Sequence, residues 1–194
     1  MVAPVVAPAP PPSIRERIAA AIVEAAARVF AEQDGQASMG EVAAAAGISR
    51  ATLYSYFPSR ELLLEKLAQV SLTETGERLR AARLEQVPIP EGLTRAVRAL
   101  VTVGDHYIVL AREHVQPDPA QFEQQLAAPL RALLERGQAA GEIRTDLSAA
   151  WLMEALVGLV VGGLLSADTL GAEEAVAAVS SLFLEGARAR PSET

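Results

Sequence analysis

Cysteine is absent from the 194 residues, which excludes a disulfide framework, a thiolate nucleophile and any cysteine-ligated zinc. Histidine is nearly as rare. His106 and His114 stand eight apart, not at the i,i+4 spacing of a helical metal pair, so no metal site is expected. No nucleophile–base arrangement is visible either, so neither an enzyme nor a cofactor is expected. Aromatics amount to 4%, and no stretch shows the alternation of a strand or an internal repeat. Positive charge is short as well: 17 lysines and arginines against 24 acids leave a net −7, which at first argues against a nucleic-acid partner.

What the chain does have is alanine and aliphatic residues. Half of it is apolar, enough for a sizeable core, and alanine loses the least side-chain freedom in a helix. An all-α fold of about nine helices is expected. The charge is also uneven. Residues 13–60 hold five arginines and five acids, so the whole excess of acid lies beyond them, and Ile48–Arg60 has two arginines and no acid. DNA binding needs a local surface of suitable sign, not a basic chain.

Met1–Pro12 is uncharged and rich in proline and alanine, so it reads as a disordered leader without the basic start of a secretory signal. Ser13-Ile14-Arg15-Glu16 is a capping box, followed by Ile14, Ile18, Ile22, Ala25 and Val29 on one helical face, with Gly35 closing the helix. Ser38-Met39-Gly40-Glu41 repeats the box and opens a short helix. Gly47 turns the chain, Ser49 caps a third helix over Arg50–Phe57, and Pro58-Ser59 precedes a longer one from Arg60 to about Leu84. Val87-Pro88-Ile89-Pro90 is the clearest internal boundary. The expected divisions are a leader (1–12), a helix-turn-helix domain (13–58), a connecting helix (59–84) and a ligand-binding and dimerisation domain (85–190).

Beyond the boundary, Leu93, Leu100, Tyr107 and His114 recur every seven residues and predict one helix ending near Gln116. A helix containing Phe122, Leu126, Leu130 and Leu134 should bend at Pro129. Thr145-Asp146 is expected to cap the helix Leu147–Ala167, and a last helix should cover Ala172–Arg188.

Two short helices joined by a glycine turn in Ser38–Phe57 have the size and order of a helix-turn-helix, though a plain helical hairpin would have the same spacing. The second helix favours the former. Leu53 and Phe57 make its buried pair, and around them stand hydroxyls and a guanidinium suited to phosphate oxygens and base edges.

From Met39-Gly40-Glu41-Val42-Ala43 through Ala46-Gly47-Ile48-Ser49-Arg50-Ala51-Thr52-Leu53-Tyr54-Ser55-Tyr56-Phe57-Pro58-Ser59-Arg60-Glu61-Leu62-Leu63, the chain resembles the TetR family of transcriptional repressors. Gly141-Glu142-Ile143-Arg144-Thr145-Asp146-Leu147 is similar to a turn before that family's dimer helices. The resemblance implies a cytoplasmic homodimer that binds a palindromic double-stranded DNA operator and is released by a small molecule. It implies that Ser38 and Ser49 cap helices near phosphate, and that Arg50, Ala51 and Thr52 reach base edges. Tyr54 and Tyr56 would contact phosphate and bases, and Arg60, where the family usually has lysine, would face backbone phosphate. The chain departs from the pattern in lacking a basic N-terminal arm.

Leu147–Ala167 is 21 residues of mostly apolar sequence, close to the roughly 20 that span a bilayer. Glu154 lies inside it and no basic cluster flanks it, so a dimer helix is the better reading. Gly158 and Gly162 would let a partner helix approach, with Val176, Val179, Leu182 and Phe183 completing a four-helix interface. For Tyr107 and His114 two readings stay open. They are satisfied polar groups of the core, or they line a ligand pocket with Phe122, Gln125 and Trp151. His106 is expected at the surface or rim. The rival for the whole chain is a helical small-molecule binder or carrier that no longer reads DNA, which would have no need of Thr52, Tyr54, Tyr56 and Arg60.

Overall fold

The first four helices of this chain start on serine side chains. In the computed structural model, which describes residues 13–32, 37–165 and 171–189, Ser13 and Glu16 exchange capping hydrogen bonds of 2.7 and 3.2 Å. They open α1 (Ile14–Glu32). Ser38 and Glu41 do the same for α2 (Met39–Ala45). Ser49 opens α3 (Arg50–Tyr56) and Ser59 opens α4 (Arg60–Ala81), each accepting from the third residue onward. Each such bond satisfies an N–H with no partner inside its helix. The expected leader (1–12) and the closing Gly35 lie outside the described residues.

Gly47 ends α2 in the left-handed region at φ +68, where its N–H bonds Ala44 O and the N–H of Ile48 bonds Ala43 O. That double closure turns the chain sharply enough to set α3 across α2, and glycine adopts it without the Cβ strain of other residues.

The long helix expected from Leu93 to Gln116 is two. α5 (Ile89–Thr102) stops at Val103, and α6 (Gly104–Arg112) restarts without a side-chain cap. At its end His114 takes φ +54, with Val115 N–H on Leu110 O and His114 N–H on Ala111 O. His114 therefore sits in the turn closing α6, exposed, and not on the face shared with Tyr107.

The bend expected near Pro129 takes a definite form. α7 (Pro119–Phe122) widens into a π-helical turn over Glu123–Ala127 and continues as α8 (Ala128–Ala139). Proline has no N–H to donate and its ring crowds the preceding turn, and a wider turn relieves both. Gly141 (φ +73) then sends the chain into an extended contact, where Arg144 N–H meets Ala187 O at 2.8 Å. Ser148, not Thr145-Asp146, caps α9 (Ala149–Leu165), while Asp146 pairs with Arg144 at 2.5 Å. α10 (Ala172–Ala187) is the last helix. With α7, the π turn and α8 counted as one rod, the described residues form nine helical rods. None is long and apolar enough to cross a membrane.

Two cores result. Ile22, Phe30, Val42, Leu53, Leu63 and Leu67 fill the first, and Leu93, Leu100, Leu126, Leu134, Leu156 and Phe183 belong to the second. α4 feeds both, with Leu67 in one and Leu72 in the other. Val109 and Leu110 of α6 also join the first core, so a helix beyond the expected boundary packs on the helix-turn-helix.

Candidate nucleic-acid interface

Leu53, fully buried, and Phe57 pin α3 to the first core and turn its opposite side outward. Ser49, Arg50, Ala51, Tyr54 and Ser55 are exposed there, and Thr52 and Tyr56 are partly so. The helix carries no acid from Ser49 to Phe57, and the nearby Glu41 carboxylate is taken up in the Ser38 capping box. Ser49 Oγ also meets Thr52 Oγ1 at 2.8 Å. The Arg50 guanidinium lies against Gly40 of α2, where any Cβ would have to displace it. Arg15 stands over the Tyr56 ring at 5.0 Å, a cation–π contact that ties the start of α1 to α3. Arg15 carried no motif of its own and was not singled out among the site residues.

Arg60 sits differently from the expectation. Its guanidinium turns inward, with Nη2 on Glu113 Oε1 at 2.7 Å and Nε on Glu113 Oε2 at 3.4 Å. Nη1 donates to Ala37 O, and the group stacks on Phe30 at 4.2 Å. Ser49, Arg50, Ala51, Thr52, Tyr54 and Tyr56 thus share α3 and its cap, Arg50 reaches Gly40 two residues past Ser38, and Arg60 turns away to Ala37, Phe30 and Glu113.

The five expected pocket residues do not converge. Tyr107 and Phe122 are partly buried against the second core. Gln125 lies against Gly76 and accepts from Arg80 at 3.2 Å, His114 is in its turn, and Trp151 is 54% exposed on α9. One groove of about 800 Å³ runs beside Tyr56, Leu62, Lys66, Gln69 and Gln121. A hollow of about 420 Å³ lies between Arg98, Val101, Ile108, Leu164 and Val176. Neither is lined by Tyr107, Phe122 or Trp151.

Between α4 and α6 runs a buried polar pair of links. Thr75 Oγ1 donates to Ser71 O at 2.8 Å, so the Tyr107 phenol at 2.7 Å must be the donor to it. Ser71 Oγ donates to Leu67 O at 2.6 Å, so His106 Nδ1, at 3.0 Å, must carry a hydrogen. His106 is 8% exposed, in the interior and not at the rim. Burial pushes the Tyr107 phenol up to about 12, and the Glu74 carboxylate works in the same direction. A free phenol ionises near ~10. Above that the unfolded chain loses the proton first, so stability should fall as pH rises from about 10 to 12. Tyr107→Phe should flatten this alkaline loss in urea melts at stepped pH, and an unchanged slope would contradict the assignment.

On the dimer side, Val176, Val179 and Phe183 are at most 7% exposed and belong to the chain's own core. The stripe that points outward holds Trp151, Gly158, Gly162 and Leu165 on α9 and Leu182, 62% exposed, on α10.

Residues 22–67 match the model of the bacterial regulatory proteins of the tetR family. Over that stretch the chain matches the TetR family. Similar proteins include the HTH-type transcriptional regulator NfxB of Pseudomonas aeruginosa, 29% identical over 78% of this chain and 85% of that one. The repressor LfrR of Mycolicibacterium smegmatis is 34% identical over 46% of this chain and 47% of its own. The solved TetR-like structure of LfrR with proflavine superposes with a TM-score of 0.77 at 26% identity, covering 90% of this chain and 98% of that one. PfmR from Thermus thermophilus gives 0.66 at 25% identity, covering 84% and 97%. These relatives are transcriptional regulators.

Proposed function

We propose that the protein is a homodimeric repressor that works in the cytoplasm, reads a two-fold symmetric DNA operator with α3 and lets go when a small molecule binds its C-terminal helices. The observation that carries this reading is the acid-free exposed side of α3, capped at Ser49 and pinned by Leu53. A carrier that had given up DNA would not need it. Arg50, Ala51 and Thr52 stand in the first turn, the part of a recognition helix that reaches base edges, while Ser38, Ser49, Tyr54 and Tyr56 serve phosphate. Two copies would meet on the stripe of Trp151, Gly158, Gly162 and Leu182. LfrR bound to proflavine supports a small planar molecule as the kind of effector. The hollow bounded by Val101, Ile108 and Val176 is large enough for one.

The test is made on base preference. Arg50→Ala and Thr52→Ala should each erase discrimination at particular positions of a panel of single-base variants, by about 1–3 kcal/mol. Equal weakening on every duplex would mean that α3 anchors without reading.

A further inference from the structure

Arg60 begins α4, and its guanidinium holds three separate parts of the chain at once. Ala37, 1% exposed, is the residue just before the Ser38 cap of α2. Phe30 belongs to α1. Glu113 follows directly on the last residue of α6, whose Tyr107 packs against the second core. The Arg60 and Glu113 side chains are 25% and 17% exposed. Arg112, one residue earlier, donates to Ala31 O at 3.2 Å and fastens the same end of α6 to α1.

We propose that Arg60 is a positioning residue that ties the helix-turn-helix to α6, and that its charge is used inside the protein and not on DNA phosphate. The inference rests on the DNA-reading function proposed above. Turning the guanidinium out to a phosphate would strip a largely buried carboxylate of its ion pair and a buried carbonyl of its donor. That loss is larger than the gain from one solvent-exposed charge contact. With Arg60 in place, a shift of the end of α6 is passed to the starts of α2 and α4 together. The geometry supplies what coupling requires, a direct bond between the element the C-terminal core holds and the element that carries α3.

The experiment uses the full-length dimer and a duplex that the wild-type protein selects from a random pool. Affinities of wild type, Glu113→Gln, Arg60→Gln and the double variant are measured well below their melting temperatures, between about 50 and 200 mM salt. Each single variant should weaken binding roughly 5- to 50-fold and the double no more than either. The dependence of log affinity on log salt should stay unchanged in all three. Arg60→Lys, which keeps the charge but not the fork that serves two oxygens, should also lose several-fold.

The proposal is overturned if Arg60→Gln lowers the salt slope by about one per chain while Glu113→Gln leaves affinity intact, since Arg60 would then be a phosphate contact. It is overturned equally if both variants lower the melting temperature and leave affinity untouched, since the pair would then hold the fold alone. A wild-type chain that selects no duplex defeats the DNA-reading function itself and this inference with it. The other two outcomes defeat the inference alone.

Discussion

Leu53→Ala should remove about 2–5 kcal/mol of folding stability, a large part of what a domain of this size holds. Leu53 has no exposed surface and lies in the core shared by α1, α2 and α4, with Phe57 one turn on. α3 is seven residues long, too short to stand as a helix without tertiary packing. Removing its anchor leaves a cavity that the close-packed alanines of α1 and α2 cannot collapse to fill. Urea denaturation should show a lower midpoint at unchanged slope. DNA binding should fail at temperatures where the wild type still binds. A loss under about 1 kcal/mol would mean that α3 is not held by this core.

Gly158→Leu should act with opposite signs on the single chain and on the dimer. A Cβ at Gly158 meets nothing within 4 Å of its own chain, so the protomer has room for the larger side chain. Glycine inside a helix costs about 1 kcal/mol relative to alanine, so α9 itself should become more stable. Between two copies, the same side chain would stand where the backbones approach. Overpacking of that kind costs about 1–3 kcal/mol, roughly 5-fold to 150-fold in association. Sedimentation should show a wild-type dimer at micromolar concentration and a variant shifted toward monomer. An equally tight variant dimer would move the interface away from α9.

Features that depend on neighbours in sequence were legible. The capping boxes at Ser13 and Ser38, the turn at Gly47 and the cap at Ser49 are local chemistry, and they place the helix-turn-helix to within a residue or two. Features that depend on partners far along the chain were not. Arg60 and Glu113 are 53 residues apart, and no spacing rule joins them. The seven-residue recurrence from Leu93 to His114 runs straight through the break at Val103, because periodicity records a face and not the continuity of the helix. For the same reason Val176, Val179 and Phe183, expected at a dimer interface, lie in the chain's own core, because an apolar stripe does not say whether it meets its own chain or another. Trp151 is the converse case, a large apolar side chain whose position on the open face looked like that of a pocket wall.

The most direct test of the account is selection from a random duplex pool by the purified wild-type chain, followed by sequencing and by measuring the mass of the complex. The account predicts enrichment of an inverted repeat, its half-sites about one helical turn apart or somewhat more, bound by an even number of chains. No enrichment, or a single half-site carried by one chain, would contradict it.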